Sequence, residues 1–177
     1  MNATRMETMK ATTGLLPVMF GLVAIALAGS AHAAAPGVTG NGTAGTFDLT
    51  AQPAYLTQPD GQSMYSWGYG CVATSTNTTF APTAIAGASC STMQVPGPTL
   101  IVTEGTTVTV HLTNNLPGAA GNTSILFPGF NVTATACSGT CPQGLLTNEA
   151  TPGSTITYTF QASTPGTRRT PCGSWCA

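Results

Sequence analysis

The chain has 177 residues, a formal net charge of −1 and only 5% charged side chains. That length suits one domain of ordinary size rather than two. No Lys or Arg occurs between Lys10 and Arg168, so no basic surface can neutralise phosphates or anionic headgroups, which excludes nucleic-acid and anionic-membrane partners.

In chain order, residues 1–33 read as a secretory signal peptide. Arg5 and Lys10 make a basic start, an apolar run extends from Gly14 to Ala28, and Ala31-His32-Ala33 supplies a small-residue cleavage site. The run is short of the roughly 20 residues that a membrane-spanning helix needs. An exported product is expected, periplasmic or extracellular, with no membrane attachment after cleavage. Residues 34–45, rich in Ala, Gly, Pro and Thr, read as a flexible leader.

Strand signals begin at Phe47, Leu49 and Ala51, which alternate with polar neighbours. Asp60-Gly61 reads as a turn. Tyr65, Trp67 and Tyr69 place three aromatics on one face of a second strand, more as a core stripe than as a sugar platform. Residues 71–92, rich in Thr, Ser, Ala and Asn, read as a loop bracketed by Cys71 and Cys90. Thr99 to Thr103 is a further strand, and Glu104-Gly105 a turn. Thr107 to Thr113 alternates strictly, with Val108, Val110 and Leu112 inward and His111 outward. Thr123 to Phe127 and Thr155 to Phe160 complete the set. Several short strands between turns, with no helical period outside the signal, predict an all-β sandwich.

The last ten residues break this pattern. Residues 168–177 hold two arginines, Cys172, Cys176 and Trp175 with no alternation. The jump in composition fits either a genuine tail or the product of a shifted reading frame, and favours the second.

Six cysteines in an exported chain point to disulfides. Connectivity is not fixed by sequence; proximity favours Cys71 with Cys90, and Cys137 with Cys141. Little else offers chemistry. His111, flanked by threonines, is the only histidine after the signal segment and reads as a solvated sheet residue rather than a metal ligand. No Gly-x-Ser-x-Gly elbow or phosphate loop occurs. Asp48 and Asp60 could meet as a glycosidase pair, but turn roles suit them better. Met64 and Met93 are too few for a methionine-rich copper carrier.

The order Val95-Pro96-Gly97-Pro98-Thr99-Leu100, Glu104-Gly105-Thr106-Thr107-Val108, Thr113-Asn114-Asn115-Leu116-Pro117, Thr123-Ser124-Ile125 and Gly129 resembles the first cupredoxin (plastocyanin-like) domain of multicopper oxidases. Tyr158-Thr159-Phe160 and Pro165-Gly166-Thr167 continue the likeness, which spans about residues 47–167. Trp67-Gly68-Tyr69 is similar to the opening of bacterial members.

The resemblance implies a Greek-key β-sandwich over residues 46–167. For the full-length family it also implies substrate oxidation at a mononuclear copper and dioxygen reduction at a trinuclear cluster. The family's first domain places a His-x-His after Thr-Ser-Ile and a second after Gly-Thr. Here Leu126 and Pro128 stand at the first pair of places, and Pro171 and Gly173 near the second. No ligand carries over. The expectation is therefore no catalytic, cofactor or metal residue in this chain, with copper belonging only to the full-length family. Two readings follow from the resemblance. The chain is a front fragment whose partners are missing downstream cupredoxin domains, or it is a domain that has lost copper and binds another protein surface. An immunoglobulin-like adhesion or glycan-binding module is the unrelated alternative.

Overall fold

A computed structural model describes residues 37–41, 45–81, 89–135 and 141–168. The expected signal peptide, Cys137, Cys172, Cys176, Pro171 and Gly173 lie outside the described residues.

Among the described residues, eight strands form two mixed sheets. They are β1 (Gly37–Gly40), β2 (Thr46–Thr57), β3 (Ser63–Cys71), β4 (Thr78–Ala81), β5 (Leu100–Ile101), β6 (Thr107–Asn114), β7 (Thr133–Thr135) and β8 (Thr155–Gln161). The smaller sheet runs β4-β1-β5 and the larger β3-β2-β6-β8-β7. This is a Greek-key β-sandwich of the cupredoxin type. The β2–β6 and β1–β5 pairs are parallel; the others are antiparallel.

Alternation decides which face is buried. Register aligns Phe47, Val110 and Tyr158 in one row across the large sheet, and Leu49, Leu112 and Ile156 in the next. All six lie at 3% exposure or less. Burying such rows stabilises at about 25 cal/mol per Å² of apolar surface. Val38 of β1 closes the core from the other sheet. The intervening residues on β2, β6 and β8 point away from this core, and they form the row Asp48, His111 and Thr157.

The buried amide at the end of β6 is matched. Asn114, fully buried, donates through Nδ2 to the carbonyls of Gly121 and Ala150 and accepts from the Leu116 N–H. This closes β6 where Asn-Asn-Leu-Pro stops the alternation.

Five elements differ from expectation: β7 lies where no strand is expected, β5 takes only Leu100–Ile101 of the expected Thr99 to Thr103, and three others depart further. Gly37–Gly40, inside the expected flexible leader, is strand β1, held by β4 on one side and β5 on the other. Thr78–Ala81, inside the expected loop, is β4. Thr123–Phe127 is not a ladder strand; Thr123 bridges to Ala150, Ile125 is a second isolated bridge residue, and side chains add to the hold.

Candidate functional site

The segment that resembles a copper-ligand strand is fixed by two tyrosine hydroxyls. Tyr69, on β3, has its OH 2.7 Å from Thr123 Oγ1 and donates to the Ser124 carbonyl at 3.1 Å. Tyr158, on β8, donates to the Asn148 carbonyl at 3.0 Å and accepts the Ile125 N–H at 3.3 Å. Burial pushes both phenols above the ordinary tyrosine pKa, against the opposing effect of their hydrogen bonds. Phe127 then packs on Tyr158 and Phe160 with ring centroids 5.7 and 4.7 Å apart. Phe130 stacks on Phe160, and the Arg168 guanidinium lies 4.8 Å from the Phe130 ring centre.

This frame presents hydrocarbon. Leu126 is half-buried and Pro128 exposed, on either side of buried Phe127. Neither side chain carries a donor atom for copper. Cys71 and Cys90 are joined as a disulfide, and Cys141 is disulfide-bonded as well, so no thiolate is offered by these three. Among the described residues no three of His, Cys, Asp and Glu gather as a metal site. Among the described residues the donor set does not fit a copper centre.

His111 does not join that segment. It faces outward from β6, with Nδ1 2.7 Å from Asp48 Oδ1. Asp48 is held further: Oδ2 accepts from Ser75 Oγ at 2.6 Å and from Asn77 Nδ2 at 2.9 Å, and its backbone N–H donates to Thr78 Oγ1. Partial burial raises the carboxyl's pKa, but the bonds from Ser75, His111 and Asn77 outweigh it and leave the group below its ordinary value. The pair lies in an open cleft of about 460 Å³. Sequence reasoning placed His111 outward but missed its partner. Nothing in the local pattern marks the pair; only the parallel β2–β6 register opposes residues 48 and 111.

The remaining candidates separate. Asp60 caps the β2–β3 turn, where Oδ1 accepts from the Gln62 N–H. Asp48 sits near the opposite end of β2. Nine residues of strand at about 3.3 Å each hold them too far apart for a carboxylate pair. The aromatic stripe of β3 is graded rather than uniformly core. Tyr69 packs against the core, Trp67 is half-buried with Nε1 buried and unbonded, and Tyr65 is 49% exposed beside Tyr55. Met93 is buried and Met64 exposed.

A two-sheet sandwich with this ordered frame defines a cupredoxin-like domain. The family profile described as multicopper oxidase matches residues 73–168, more than half of the chain. The chain belongs to the multicopper oxidase family. A crystal structure of a multi-copper oxidase from Pediococcus acidilactici is similar at 20% identity and a TM-score of 0.43, covering 71% of this chain and 20% of that one. The chain thus spans about a fifth of that protein's length. No curated protein matches the sequence. Among the described residues no helix is long and apolar enough to cross a membrane.

Proposed function

We propose that this chain is the first β-sandwich domain of an exported multicopper-oxidase-type protein, and that it serves as a scaffold and docking domain without holding copper or oxidising substrate itself. The observation that carries the reading is the hydrocarbon pair Leu126 and Pro128, set on a segment that still has its family frame. Copper chemistry needs nitrogen or thiolate donors at fixed geometry, and this segment provides none. The domain's contribution is then surface and shape, for downstream cupredoxin domains or another protein. The disulfide Cys71–Cys90 is consistent with an oxidising compartment.

Elemental analysis tests this after loading with Cu(I) and Cu(II) and exhaustive dialysis. The expected result is copper well below one ion per chain. Stoichiometric retained copper would refute the reading.

One observation favours a second reading, a glycan-binding module. Tyr55 and Tyr65 are 71% and 49% exposed, with ring centroids 5.4 Å apart. Exposed aromatics can stack on sugar rings. Glycan-array binding lost on Tyr55→Ala would support that reading, and an array with no signal would leave the scaffold reading alone.

A further inference from the structure

The outer face of the large sheet carries an arrangement that the family likeness does not use. His111 Nδ1 lies 2.7 Å from Asp48 Oδ1. In the neutral imidazole this contact places the proton on Nδ1 and leaves the Nε2 lone pair free to accept or to coordinate. Among the described residues only Nδ1 of this ring has a hydrogen-bond partner, and the side chain is 37% exposed. Asp48 is prevented from turning away by Ser75 and Asn77 on its other oxygen. The imidazole is thus preset in one tautomer and one orientation.

The cleft around the pair is lined by hydroxyls, among them Thr74, Ser75, Thr76, Thr113 and Thr155. Thr113 and Thr155, both in the lining, bond each other at 2.8 Å. Asp48 is the only carboxylate in the lining, and no Lys or Arg lines the cleft. Arg168, the one Lys or Arg among the described residues, is engaged elsewhere over Phe130. A cleft with a carboxylate and neither Lys nor Arg disfavours anions such as phosphate and favours a cation. An imidazole that donates its second nitrogen to a carboxylate is the arrangement common to metal-ligating histidines, since it fixes the ring and raises its basicity.

We propose that His111 Nε2 is a binding site for a divalent first-row metal ion, Zn²⁺ being the probe, with Asp48 as its positioning residue. Water completes the coordination, and the surrounding Ser and Thr hydroxyls hydrogen-bond that water. One protein ligand makes the site weak and rapidly exchanging. It is separate from the copper question, because a readily exchanged ion is lost on dialysis.

The test is an NMR titration of untagged, isotope-labelled protein with zinc chloride, following the His111 ring and the amides of β2, β6 and residues 72–78. The expected result is a saturable one-to-one shift centred on His111. It is abolished in His111→Ala, and its apparent Kd is 10- to 100-fold weaker in Asp48→Asn, the usual loss for a carboxylate behind a metal-bound histidine. The amide spectrum reports whether each variant is folded. If Asp48→Asn unfolds, Asn77→Ala frees one side of the carboxylate while keeping its charge, and a measurable weakening is expected there too. Shifts that do not saturate, that persist in His111→Ala, or that keep the same Kd in a folded clamp variant overturn the proposal.

Discussion

Tyr158→Phe removes one oxygen from the centre of the sandwich and leaves the ring. The side chain is fully buried, and its hydroxyl serves two backbone groups, the Asn148 carbonyl at 3.0 Å and the Ile125 N–H at 3.3 Å. Phenylalanine keeps the edge contact with Phe127 but leaves both backbone groups unpaired. A net hydrogen bond is worth about 1 kcal/mol, and an orphaned buried group costs about 1–3 kcal/mol. The variant should lose about 2–3 kcal/mol. The pH dependence gives a second handle. Burial raises the folded phenol's pKa above the unfolded value of about 10. The resulting stability is fully present below pH 10 and is lost as pH rises from there toward the folded pKa, at about 1.4 kcal/mol per pH unit. Tyr69 contributes in the same direction. Urea unfolding at pH 7, 10 and 11 measures both effects. Wild type should weaken steeply above pH 10, and Tyr158→Phe less so. A variant within about 0.5 kcal/mol of wild type at pH 7, with an unchanged alkaline limb, would show that the Tyr158 hydroxyl does not secure the 123–127 segment.

Three further outcomes are expected. Replacing Cys71 and Cys90 together by Ser should cost about 3 kcal/mol, because their bond closes a loop across a sequence separation of 19; calorimetry of oxidised wild type against the variant measures it. Gly70→Ala should cost at least about 2 kcal/mol, since a Cβ there meets the backbone of Ser91 and Thr92. Gly105→Ala meets open space but is forced to a φ of +80°, and should cost only about 1 kcal/mol; thermal melts that reverse this order contradict the packing described. Asp48→Asn should cost about 1–2 kcal/mol at neutral pH through its weakened bonds to Ser75, Asn77 and His111. Because the folded carboxyl is shifted down, that stability is present above about pH 4 and disappears as pH falls through the lowered value, so wild type and variant should converge in acid-unfolding curves.

The strands that were legible in the sequence are those that bury one face over several residues. Phe47-Leu49-Ala51, Val108-Val110-Leu112 and Ile156-Tyr158-Phe160 each carry their own period, and each is buried as expected. The short strands carry none. Gly37–Gly40 and Thr78–Ala81 are Gly- and Thr-rich pieces of four residues, defined by the neighbours that pair with them rather than by alternation. Thr123–Phe127 looks like a strand by composition. It pairs only through isolated bridges at Thr123 and Ile125, and the hydroxyls of Tyr69 and Tyr158 add to that hold. The family frame was readable because its Pro, Gly and Asn positions lie close together in sequence. The Asp48–His111 pair was not, because its members are 63 residues apart and meet only through strand register.

The parallel pairing of β2 with β6 has a kinetic consequence. Parallel neighbours cannot be joined by a tight turn, and β3, β4 and β5 all intervene between these two in sequence. During synthesis the β2–β3 hairpin can close locally, but its inner edge waits for β6, and β6 in turn for β8. Folding therefore depends on late, distant contacts, which places this domain with the slow, millisecond-to-second folders of its size class. In the interval the Phe47 face of the hairpin is uncovered, and an incomplete chain would be the form most prone to stick to its own copies.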